Sequence, residues 1–130
     1  MAKHDLYNNI GVVTAVEPAV LTATNTSAAI DLRGFESATV VINTGAIAGS
    51  GNFTPKLQES NTTTSGDFTD VAAGDLLGSF PAALAASTAY KVGYRGTKRY
   101  VRTVLTLNSG TSIAASAVIV RGHAALAPVA

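Results

Sequence analysis

Short apolar runs of about five to eight residues, rich in Val, Ile and Thr, recur along the whole chain between clusters of Gly, Asn, Ser and Thr. β-branched side chains suit a pleated, half-buried surface, and many short runs punctuated by turn residues make a β-sandwich or barrel. Strands are expected near Val12–Val16, Ala28–Leu32, Ala38–Asn43, Thr54–Glu59, Phe68–Val71, Ala89–Gly93, Arg99–Leu107 and Ser116–Gly122. About eight strands match an all-β, jelly-roll-like sandwich. Ser60–Asp67 and Asn108–Thr111 each read as a hairpin connection, because Gly and Asn supply the positive φ angles of tight turns.

Alternation sets the faces. From Arg99 onward, Val101, Thr103, Leu105 and Leu107 share one face and Tyr100, Arg102, Val104 and Thr106 the other. Near the end, Val118 and Val120 oppose Ile119 and Arg121. Residues 72–87 do not read as strand. Pro81–Ala86 is either one or two helical turns, with Ser79 as cap, or an Ala-rich loop.

A chain of 130 residues fits one domain. The expected organisation is an N-terminal arm at 1–10, a sandwich at 11–123 and a C-terminal tail at 124–130. Hydrophobic residues make up 47% and charged ones only 13%, about half the usual share, so the surface is built largely of Thr, Ser, Asn and Ala. Such a surface suits a protein covered by neighbours. With no Cys, there is no disulfide, thiolate metal site or Cys nucleophile. The start shows no signal-peptide run and no stretch approaches a membrane span, so a chain made in the cytoplasm and not bound to membrane is expected.

The few charges are segregated. All eight acids lie in the first 75 positions beside three bases, which leaves that part at −5. Residues 76–130 carry six bases and no acid, and five of the six fall between Lys91 and Arg102. Such asymmetry points to a partner: a phosphate ligand, or the acidic face of another subunit. Alternatively, the fold sets the basic strand beside its own acids. Within 90–102, Tyr90, Tyr94 and Tyr100 interleave with Lys91, Arg95, Lys98, Arg99 and Arg102, the side-chain mixture that interfaces enrich. These eight are the candidate interface residues. Nucleic acid is not expected, because no second basic strip extends the positive potential.

Chemistry-bearing patterns are sparse. His4 and His123 have no carboxylate neighbour in sequence, and no G-x-S-x-G elbow occurs. Asp67, Asp70 and Asp75 lack calcium-loop spacing, and Gly45, Gly49 and Gly51 lack a phosphate-binding one. No enzyme activity, metal or cofactor is expected.

Taken in order, DLRGFESATVVIN (31–43), KLQES (56–60), GDFTDV (66–71), VGYRGTKRYVR (92–102) and SAVIVRGH (116–123) resemble the layout of small structural proteins of tailed-bacteriophage particles. The resemblance implies a virion component at the capsid surface, a head decoration or cement protein with no catalytic residues. Its implied partners are the major capsid protein or another virion subunit, together with further copies of itself as a homo-oligomer. The alternative is a tail, connector or spike module that binds a glycan or receptor, with the three tyrosines as stacking platforms.

Overall fold

The computed structural model describes residues 5–125; the expected arm and tail lie partly outside them, at 1–4 and 126–130. Ten strands form among the described residues: β1 (Gly11–Leu21), β2 (Asn25–Thr26), β3 (Ile30–Asp31), β4 (Phe35–Ala48), β5 (Asn52–Ser60), β6 (Thr69–Asp70), β7 (Leu76–Leu77), β8 (Ala89–Tyr94), β9 (Tyr100–Ser109) and β10 (Ser112–Ala124). Every expected strand has a counterpart. The count rises from eight to ten because β2 and β7 are added, each only two residues long.

All strand pairs are antiparallel, in two sheets ordered β1-β10-β4-β8-β7 and β2-β9-β5-β6, with β3 also pairing β9. Taking β2 and β3 as halves of one interrupted strand, and β7 as an annex of β8, the pairs nest. The first strand meets the last, the second the next to last, and so inward to β5 with β6. This nesting is the jelly-roll wrapping of a long hairpin into two sheets. It corrects one expected turn, because β9 and β10 belong to different sheets and the turn at Gly110–Thr111 carries the chain between layers. The β5–β6 hairpin does form, pairing Gln58 with Asp70.

A second layer-crossing turn, between β4 and β5, lies against the first. Thr111 N–H donates to Gly49 O at 3.2 Å. Gly110 has φ +82°, and a Cβ there would collide with Ser50 O; a Cβ on Gly51 would collide with Ser112 O. Glycines are therefore required where two backbones cross this closely.

Strand alternation fills the space between sheets. β4 turns Ala38, Val40, Ile42 and Thr44 inward, and β10 turns in Ile113, Ala115, Ala117 and Ile119. Phe53, Leu57, Val101 and Leu105 meet them from the other sheet. Pro55 sits within β5 where that strand pairs only β9, an edge position that tolerates the missing N–H.

Residues 81–86 form no helix. A single 3₁₀ turn at Ala73–Asp75 and β7 occupy the start of the excursion, and the rest is loop. The backbone groups of that loop bond across the fold instead. Leu84 N–H donates to Phe53 O at 2.9 Å and Ser87 N–H to Gly45 O at 3.0 Å. The Thr44 hydroxyl donates to Ala85 O at 2.6 Å, and the Thr54 hydroxyl to Ala82 O at 2.7 Å. Leu84, 3% exposed, plugs the core from this side. These tertiary bonds outcompete the weak helix propensity of a short Ala-rich run.

Candidate docking site at one end of the sandwich

A groove of about 480 Å³ lies between the segment entering β4 (Leu32–Ala38) and the β8–β9 connection (Tyr94–Arg99). Its floor is Tyr94, 4% exposed. The phenol donates to Glu59 Oε1 at 2.7 Å and accepts from Lys98 N–H at 3.1 Å, so the connection folds around the ring. Gly96 lies so close that a Cβ would stand 2.5 Å from the Tyr94 oxygen. Burial, and then the bond to Glu59, push the Tyr94 hydroxyl well above the usual tyrosine range.

One wall is held by an ion pair. Arg99 donates through Nε at 2.9 Å and Nη2 at 2.8 Å to the two carboxylate oxygens of Asp31. This fork-to-fork geometry lowers the Asp31 carboxyl from 3.8 to about 2, with the Arg99 hydrogen bonds as the largest cause. Leu32 N–H donates to Arg99 O at 2.8 Å, continuing the contact through the backbone. Beneath, Arg121 points inward, stacks on Phe35 at 4.4 Å and donates to Asp31 O at 3.2 Å. Gly11 leaves the space that its guanidinium fills.

The eight candidate residues therefore separate. Tyr94, Lys98 and Arg99 line the groove, and Arg95 sits beside it with its side chain in solvent. Tyr90 is half-buried and its oxygen accepts from Ala85 N–H at 2.8 Å. Lys91 is exposed on β8. Tyr100 and Arg102 alternate with the inward residues of β9 and lie on the outer face of the second sheet. There Arg102 stacks on Phe68 at 4.3 Å and donates to Gln58 Oε1 at 2.8 Å and Ser65 Oγ at 2.9 Å. Of the basic cluster, Arg99 is committed to an acid of its own chain and Arg102 to polar groups. Lys91, Arg95 and Lys98 make no ion pair among the described residues, nor does Arg33 across the groove.

The groove also contains residues that the sequence reading did not select: Arg33, Phe35, Glu36 and Ser37. Their signal was weak, since they lie some sixty positions from the basic cluster and only the fold unites them. Ser37 Oγ lies 2.7 Å from His123 Nδ1, joining β4 to the end of β10. No carboxylate is bonded to that imidazole among the described residues, so the pair ties strand ends together and lacks the third member of a nucleophilic triad. Among the described residues no group of three or more His, Asp or Glu converges as a metal site.

No family model and no curated protein matches the chain. Among solved structures, the fold is similar to that of an SPBc2 prophage-derived protein, YomS, at a TM-score of 0.50 and 13% identity over 87% of this chain and 92% of the other. PirA aligns at a TM-score of 0.44 and 16% identity, covering 88% and 94%. The VP2 subviral particle of infectious bursal disease virus aligns at 0.46 and 11%, covering 88% of this chain and 32% of the other. At these identities the likeness to YomS is one of fold.

Proposed function

We propose that the chain is a non-enzymatic structural subunit of a tailed-phage particle, a decoration or cement protein of the capsid surface that docks through its groove end onto an acidic neighbouring subunit. The observation that carries this reading is the pair of cations lining the groove, Arg33 and Lys98, with Arg95 next to them along the chain; all three are exposed and have no ion-pair partner among the described residues, against the single unpaired acid Glu36. They stand on a rigid mount. Tyr94 and the Asp31–Arg99 pair fix the backbone on both sides, so docking orders few new groups. Charges placed in this way steer encounter and fix register against a surface of opposite sign. The sequence resemblance supports the particle assignment, and a sandwich of prophage origin that superposes along nearly its whole length is in keeping with it. A glycan-stacking role finds little support, because the Tyr94 ring is buried and Tyr90 is half-buried with its oxygen bonded to the loop.

The test is copy number. Particles assembled with this chain are purified on a density gradient, and the chain is quantified by mass spectrometry against the major shell protein. A fixed stoichiometric ratio is expected, lost in Arg95→Glu/Lys98→Glu while the isolated variant keeps its melting temperature. Absence of the wild-type chain from purified particles would contradict the reading.

A further inference from the structure

The two sheets present very different outer faces. That of β9 and β5 carries Lys56, Gln58, Arg102 and, on β6, Asp70, and these bond to one another or to nearby loops. That of β1, β10, β4, β8 and β7 is almost uncharged. The strand register lays its outward side chains in rows: Val12 beside Val120, Thr39, Gly93 and Leu77, and next to it Thr14 beside Val118, Val41 and Lys91. Further along, Val20 pairs with Ala114. Val12, Leu77 and Val20 are 58%, 56% and 65% exposed. Lys91 is the single charge in these rows, and Glu17 stands at the irregular stretch of β1 nearby.

We propose that this face docks on the same face of a second copy of the chain. The proposal is independent of the particle assignment. Three observations select a copy of the chain as the occupant. A partner carrying many charges would have to desolvate them against a face offering one cation, whereas this face meets its own kind with little charge to bury. Four strands at ~4.8 Å spacing by ten residues at ~3.4 Å rise cover roughly 650 Å² of footprint before side-chain relief is counted. That approaches the roughly 800 Å² per partner of a standard stable interface. Third, the edges of this sheet offer little length for strand-to-strand association. β1 carries Pro18 and register shifts at Thr14/Val16 and Val16/Ala19, and the opposite edge strand, β7, has two residues.

The charges orient the pair. A two-fold axis along the strands, between β10 and β4, lays β8 of one copy over β1 of the other. Lys91 then meets the row of Thr14 in the partner copy, beside the irregular stretch carrying Glu17. Such an arrangement is isologous and closes as a dimer.

Sedimentation velocity of the full chain at micromolar concentrations tests this. A dimer is expected for the wild type. Val118→Lys, at the centre of the face, is expected to weaken it at least tenfold without changing the circular dichroism spectrum; Thr39→Lys, one row away, serves if that variant does not fold. Lys91→Glu and Glu17→Lys should each weaken the dimer several-fold, and the double reversal should restore it. A wild-type monomer, or a dimer that resists both lysine substitutions, overturns the proposal; failure of the double reversal overturns the axis. A monomer whose Val118→Lys variant is lost from purified particles would assign the face to another subunit. That result overturns self-association alone, whereas a dimer never found on particles overturns the particle assignment alone.

Discussion

Arg99 and Arg102 lie three positions apart in one basic stretch, yet the fold gives them different surroundings. Arg99 turns to Asp31 and Arg102 to Phe68, Gln58 and Ser65. The distinction follows from where each side chain leaves the strand, and the acid that meets Arg99 is 68 positions away in sequence. The Asp31 carboxyl has a defined consequence for stability. Its folded value of about 2 lies below the ordinary 3.8, so the pair stabilises the native state above that range and the contribution is lost as pH falls toward 2. Both side chains are 42% exposed, so solvent screens much of the gain. Thermal melts between pH 5 and about 2 should therefore show a drop for the wild type that is shallower by a few degrees in Asp31→Asn. Equal pH slopes in the two proteins would mean that the pair does not couple to folding.

At the scale of elements, the glycines at the layer-crossing turns do more than permit tight turns. Gly51 lies where Ser112 O would collide with any Cβ, so Gly51→Ala must move backbone. Gly66, in the β5–β6 turn, has nothing within 4 Å of its Cβ direction. Gly51→Ala should cost about 2 kcal/mol or more, and Gly66→Ala about 0.5 kcal/mol or less. Urea denaturation of both variants checks this, and similar losses would show that the crossing is less tightly packed than described. The same elements show how much could be read in advance. Each of the eight strands was legible, because short runs rich in Val, Ile and Thr between clusters of turn residues leave a local signal, reinforced by alternation in 99–107 and 116–122. β2 and β7 were not, since no punctuated apolar run marks them; β3 and β6, equally short, were legible only inside the longer runs Ala28–Leu32 and Phe68–Val71. β1 extends to Leu21 across its register shifts, which break the alternation that would have announced it. The turn at Gly110 was legible as a turn but not as a passage between sheets, because turn chemistry does not reveal which layer the next strand joins. The candidate site was legible only in part. Tyr94, Lys98 and Arg99 were visible as a cluster, but the inward direction of Tyr94 and the opposite wall at Arg33–Ser37 depend on contacts far apart in sequence.

For the whole molecule, the jelly roll separates three surfaces with different chemistry. One end holds a groove lined by the unpaired Arg33 and Lys98 together with Glu36, one sheet face is polar with its charges bonded internally, and the other sheet face is nearly neutral and β-branched. The polar face is satisfied in water, whereas the other two retain capacity for partners: charge at the groove, apolar area on the β1–β10–β4–β8–β7 sheet. A subunit that works by being covered needs such surfaces and a framework that holds them without moving. The segregation of acids and bases seen along the chain is thus partly neutralised inside the fold, through Asp31–Arg99, and partly left outward at the groove.

Docking through the groove and pairing through the neutral face together require both surfaces to be buried in the assembled particle. Hydroxyl-radical footprinting of the chain, free at high dilution and then within purified particles, measures this burial residue by residue. Val12, Val20 and Leu77 and the side chains around Arg95 and Lys98 are expected to lose most of their labelling in the particle, while Lys56 and Asp70 on the polar face change little. Labelling of the neutral face and the groove that stays the same in both states would contradict it.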